Sequence, residues 1–321
     1  MEPLLANYRW SETTPGLPPY DLPGDGAGRT HGVACLPDGG LVVFRQSAPS
    51  VLRFDAAGRL ADSWGDHFGA HGLCLVEEGG RMFLWLTDQF TGAVEKRTLG
   101  GELVQQIPPP AHPVYETAKF VPTWVAVDEE RFGGDGSLWL ADGYGAQVVH
   151  IFDRDGKHRL TLDGTSGAGR FSCPHAVDCM PCGEGSRQFY IADRGNRRFQ
   201  VYTPAGEFVR SFGDDFLTSP CCIAQSSDGF VVPELFGSLA ILNSDGSLRD
   251  RLGENTTLQT DQPGWANRYP LETGKFNSPH AAAVSTSGDI YVVEWRVGGR
   301  IVHLKQLEDP EFEKQLKGLL P

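Results

Sequence analysis

Three histidines, His71, His175 and His280, stand 104 and 105 residues apart. Each opens a short apolar run, in HGLCLV, HAVD and HAAAV. Spacing this regular marks one position in a repeating unit. Three further stretches have the same form, at Thr30-His31-Gly32, Pro122-Thr123-Trp124 and Pro220-Cys221-Cys222. The middle residues of the six copies are therefore His31, His71, Thr123, His175, Cys221 and His280. With 9 His in 321 residues, six random positions would hold about 0.2. Four of the six are His. Three imidazoles converging from three directions leave one face of a metal open, which is the donor set of a catalytic zinc. His71, His175 and His280 are thus the expected ligands of zinc or another divalent transition metal. His31 is expected as a substrate contact, a partner of a ligand or a fourth ligand. Taken singly, each histidine could equally be a channel liner bonded to water or backbone.

The elements that must position these residues are short strands. Each copy continues with an apolar run, a Gly-rich turn or insert, and a second apolar run; most then add two more. The copies lie 40, 52, 52, 46 and 59 residues apart. A period of this size with four strands per unit predicts an all-β fold, a six-bladed β-propeller of NHL-type repeats. The first strand of each blade would line the central channel, so equivalent positions form a ring around its axis. Alternate blades would bring His71, His175 and His280 together at thirds of a turn. The sixth copy shows only three strands. The segment 1–28, with Tyr8-Arg9-Trp10 as its strand, is expected to supply the fourth and close the ring, leaving no open edge. The whole of 1–321 then reads as one domain. The Pro-rich stretch 15–23, the insert 108–120 and residues 255–275 are expected as loops. The tail 309–321 is expected to carry a short outer helix. Asp88, Asp142, Asp193 and Glu294 end second strands and are read as turn-bonding residues.

Composition narrows the function. Asp and Glu total 41 against 28 Lys and Arg, a net charge of −13. That argues against nucleic acid or an anionic membrane surface as the main partner. No run approaches the length of a membrane span, and the start lacks a basic region followed by an apolar core. Several of the 7 Cys sit in or beside apolar runs, as reduced thiols do. A cytoplasmic protein is expected. Cys179 and Cys182 form a lone CxxC without the second pair that a zinc ribbon needs.

The runs FSCPHAVD, LADGYG, IADRGNRRFQVY and FNSPHAAAV, with HGLCLV, resemble peptidyl-α-hydroxyglycine α-amidating lyase over residues 30–305. The resemblance implies a six-bladed propeller with a three-His zinc on its axis. It implies the splitting of a peptidyl-α-hydroxyglycine into a peptide amide and glyoxylate. It also implies Tyr144 as the catalytic tyrosine, and Arg45 and Arg194 as the active-site arginines that grip substrate. Chemically, Tyr144 beside zinc and arginines would have its phenolate favoured and act as base. The arginines could each hold a carboxylate by a bidentate fork, or else form an inter-blade salt bridge. The sequence departs from the family in places. The calcium-binding Asp after the last zinc His is Ala281, which puts calcium in doubt. The methionine two residues before that His is Ser278, and Gly145 replaces the Cys after the tyrosine. The sequence includes no monooxygenase domain that would make the hydroxyglycine.

The leading expectation is a zinc-dependent lyase. It would cleave a C–N or C–O bond in a small-molecule or peptide-like substrate bearing a hydroxyl and a carboxylate. A lactonase-type propeller hydrolase is one alternative, although such enzymes use acidic and Asn metal ligands. A non-catalytic propeller that binds a ligand or a protein is the other; it would need no metal.

Overall fold

Runs such as Leu41–Arg45 and Leu138–Asp142 are buried along their whole length, as expected of strands covered on both faces. Outer runs such as Leu60–Trp64 are largely exposed. This gradient from inner to outer strands is that of a propeller blade. The structure is a computed structural model that describes residues 4–5, 7–12, 28–183 and 185–307. Its strands form six antiparallel sheets, each following the chain from the axis outward. The innermost strands of blades one to four are Thr30–Cys35, Ala70–Glu78, Trp124–Val127 and Pro174–Gly183. Those of blades five and six are Ala224–Ser226 and Pro279–Val284. The protein is a six-bladed β-propeller.

Ring closure follows the sequence expectation. Blade six has three strands of its own, and Tyr8–Glu12 pairs antiparallel with its outer strand Ile301–Gln306. Leu4–Leu5 adds a fifth strand outside it. Trp10 anchors the closure. It is fully buried and packs 4.8 Å from Phe276, within a cluster that also holds Val302 and Leu304. Replacing Trp10 by Ala should therefore cost about 3–5 kcal/mol, the usual range for a buried aromatic. Denaturant unfolding would measure it. An unchanged midpoint would show that the ring does not depend on this strand.

The blades pack through large apolar contacts. Trp139 of blade three stacks on Phe189 of blade four at 4.1 Å. Near the axis the strands come closer than most side chains allow. A Cβ on Gly72 would lie 2.8 Å from Trp124 Cα, so the residue after His71 has to be Gly. The insert 108–120 is mostly irregular with a short 3₁₀ turn, Pro113–Glu116, and 255–275 contains one short helix, Trp265–Arg268. The stretch 15–23 and the tail 309–321 lie outside the described residues. Among those described, no helix is long and apolar enough to cross a membrane. All seven cysteines are free thiols. Cys179 and Cys182 lie on one strand, Pro174–Gly183, Cys179 half-buried and Cys182 exposed at an irregularity in its pairing.

Candidate functional site

The six-residue ring divides into two sets of three. In the even blades the imidazole points inward and its Nδ1 bonds to a backbone carbonyl of the next blade. His71 Nδ1 lies 2.7 Å from Thr123 O, His175 Nδ1 2.6 Å from Cys221 O, and His280 Nδ1 2.9 Å from His31 O. The odd-blade residues at the repeat position thus supply the carbonyls that orient the even-blade rings. A carbonyl only accepts, so each Nδ1 carries the proton. Burial holds all three imidazoles neutral, well below their ordinary pKa for His71 and His175 and at about 3 for His280. Each Nε2 therefore presents a bare lone pair. A ring fixed through Nδ1 with Nε2 free is the usual arrangement of a metal-binding histidine.

The ring centres of His71, His175 and His280 stand 4.8–4.9 Å apart, nearly an equilateral triangle. His31 crowds the same axis, 5.1 Å from His71 and 4.5 Å from His280. One ring nitrogen each of His31, His71 and His280 lies within 4.8 Å of the others. Two overlapping trios thus share His71 and His280. They differ in orientation, because His31 Nδ1 has only a long 3.4 Å contact to Arg29 O, without the short cross-blade tie that holds His175. Zinc fits this donor set, which consists of neutral, oriented imidazoles without a carboxylate.

Tyr144 and Arg194 reach the imidazoles. The Tyr144 hydroxyl lies 3.1 Å from His71 Nε2 and 3.2 Å from His175 Nε2, and Arg194 Nη2 donates to it at 3.2 Å. Tyr144 is 39% exposed, yet its hydroxyl contacts two fully buried rings. Burial raises the Tyr144 pKa more than neighbouring Arg194 lowers it, so the protein's own groups favour the phenol. Arg194 Nη2 also meets Cys173 Sγ at 3.4 Å. Among the described residues no carboxylate is within ion-pair distance of Arg194.

Arg45 is held differently. It ends the second strand of blade one opposite Thr30, the register that Asp88, Asp193 and Glu294 take in their blades opposite Ala70, Pro174 and Pro279. Glu234 takes the same register opposite Pro220. Those acids act as expected, with one addition, Glu234. Asp88 accepts from Gly69 N, Asp142 from Val121 N, Asp193 from Ser172 N, Glu234 from Thr218 N and Glu294 from Ser278 N. Each fastens the start of its inner strand. Arg45 takes their place in blade one, fully buried, with Nε donating to Pro49 O at 2.9 Å.

Two of these acids also position the site residues. Asp142 Oδ2 accepts from Ala146 N at 2.9 Å and Asp193 Oδ2 from Asn196 Nδ2 at 2.9 Å, in the turns that carry Tyr144 and Arg194. Cys173, at φ 56°, and Gln147, at φ 58°, hold left-handed backbone that such residues rarely adopt, and Cys173 N donates to Gln147 Oε1 at 3.2 Å. The insert adds a support that the sequence reading missed. Tyr115 donates to Asp142 Oδ2 at 2.7 Å, and its hydroxyl is also 2.7 Å from His150 Nε2.

His150 gives a pH prediction. Burial, then His158 and His112, push its pKa down to about 3, against an unfolded value of about 6.5. The unfolded chain thus binds this proton first. The stabilisation is complete above pH 6.5 and is lost as pH falls through 6.5 toward 3. The melting temperature should drop across that window, and His150→Gln should flatten part of the drop. Identical profiles would dissociate His150 from it.

No family model matches the chain. Over 216 residues it is 26% identical to human NHL repeat-containing protein 3, a match covering 63% of this chain and 60% of that protein. The mouse protein of that name is 27% identical over 254 residues, covering 73% and 71%. Together with the six blades, this likeness supports repeats of the NHL type. The chain is a six-bladed propeller similar to NHL repeat-containing proteins. The match takes in about three fifths of the human relative's length. Among solved structures, this propeller is similar to a streptogramin B lyase, with TM-score 0.60 and 14% identity over 94% of this chain and 98% of that one. A putative gluconolactonase gives TM-score 0.60 and 13% identity, covering 95% of each. At such identities the likeness is one of fold.

Proposed function

We propose that this propeller is a zinc-dependent lyase. It cleaves a C–N or C–O bond at a hydroxylated carbon beside a carboxylate, with N-acyl-α-hydroxyglycines as the substrate class. The observation that carries the reading is the common orientation of His71, His175 and His280, each with Nδ1 spent on a carbonyl, which makes Nε2, met by the Tyr144 hydroxyl in His71 and His175, the atom for a ligand. Zinc held by these three would supply a Lewis acid with an open coordination position. The other groups belong to the chain. Arg194, with no carboxylate of its own, binds the substrate carboxylate. The neutral Tyr144 hydroxyl holds a proton at Oη, beside the place where the bond breaks. In the reaction the C–N electrons stay on nitrogen, which gains a proton, while the substrate hydroxyl loses one and becomes the aldehyde of glyoxylate. Oη gives the first proton and takes the second, ending as it began. Arg194 favours the short-lived phenolate. Arg45 supports the site by fixing the blade-one turn.

The test is release of glyoxylate from an N-acyl-α-hydroxyglycine by zinc-loaded protein. Turnover is the expected result. Zinc-loaded protein that leaves hydroxyglycines intact would remove this substrate class. Hydrolysis of gluconolactone by the same sample would replace the lyase with the hydrolase alternative.

A further inference from the structure

The imidazoles occupy one end of the central channel. Toward the other end, the inner strands enclose a second cavity of about 340 Å³. Its wall is about equally polar and apolar, with Val33, Leu73, Trp124, Ile223 and Ala283 of different blades on the apolar side. Two carboxylates line it, Glu129 and Asp178; Asp178 stands three residues beyond His175 and so about 10 Å further along the strand. Asp178 accepts Ile223 N at 3.2 Å and a hydrogen bond from Trp124. No Arg, Lys or His among the described residues pairs with it. The other charged side chains of the lining, Glu129 and Arg131, pair with each other at 2.8 Å.

A carboxylate in such a cavity is neutralised by a proton or by a cation, and two hydrogen bonds supply neither. Burial accordingly pushes the Asp178 carboxyl up to about 7. The occupant that answers both features carries one positive charge on an apolar body. A metal ion would find one carboxylate not already paired, since Glu129 is held by Arg131, and an anion would be repelled. The indole of Trp124 beside the carboxylate adds the aromatic surface that ammonium groups favour. We propose that the lower channel binds an alkylammonium ion, its nitrogen on Asp178 and its chain against the inner strands, independently of the metal centre.

Calorimetric titration of the full chain with n-hexylammonium and its neutral isostere n-hexanol tests this. Hexylammonium should bind, and hexanol should bind about tenfold more weakly or worse, a difference of roughly 1.4 kcal/mol. Asp178→Asn should bring the ammonium down to the level of the alcohol. Ala283→Phe, which fills the cavity, should abolish binding of both. Chelator treatment should change nothing. Because Asp178 ties three blades, its variant could fail to fold; the isostere comparison on wild type and Ala283→Phe then decide. Equal binding of amine and alcohol, binding of neither, wild-type binding by Ala283→Phe, or loss of binding with the metal would each overturn the proposal.

Discussion

His280→Ala protein, incubated with zinc and desalted, should retain almost none, while the wild type keeps one equivalent. Weakening a partner of a ligand already costs 10–100-fold in affinity, so loss of a ligand should cost about a hundredfold or more. The fold should survive, because the ring makes its tie at the mouth of the channel and the blade-six core lies further out, around Val292 and Val302. His71→Ala should behave alike. The informative pair is His175→Ala and His31→Ala. If the carbonyl-oriented trio holds the metal, His175→Ala loses it and His31→Ala keeps it. If the other overlapping trio holds it, the outcomes exchange. Zinc measured by elemental analysis, with circular dichroism for folding, separates these results. Wild-type protein that takes up no zinc would end the metal reading.

The second large effect concerns Tyr144 and Arg194. Tyr144→Phe removes one oxygen that lies within 3.2 Å of two imidazoles and a guanidinium. If that oxygen moves both protons, kcat should fall by about 10²–10⁴ with KM little changed. Arg194→Met should instead raise KM, since it removes the group assigned to the substrate carboxylate. Arg194→Lys should restore little, because a point charge does not replace a planar fork. Zinc content must be equal in all variants, so that the losses cannot be attributed to the metal. Full activity in Tyr144→Phe would remove the tyrosine from the mechanism.

Much of this was legible in the sequence because propeller repeats put equivalent residues at equivalent places. The His positions, the missing strand of blade six and the turn-bonding acids are all statements about register. What the sequence hid depends on tertiary surroundings. The charge state of Tyr144 turns on burial beside neutral rings, which no motif encodes. Glu234 is harder to see because it follows Pro233, which reads against a central strand. The placement of Arg45 was partly visible. FRQ in blade one and TDQ in blade two share a register, and reading them together puts an arginine where an aspartate normally ties the turn. The pairing of Tyr115 with Asp142 could not be seen, because it joins a loop to a strand 27 residues away.

The division of the ring into carbonyl-giving and imidazole-giving blades has a consequence for how such a protein can be built or changed. Its working unit is a pair of neighbouring blades, one holding the ring and the next orienting it, and three such pairs complete the centre. The symmetry of the chemistry is therefore that of a trimer of tandem blades written into one chain. Duplication or deletion of a single blade would break the alternation at that joint, whereas trading whole pairs would leave each orienting bond intact.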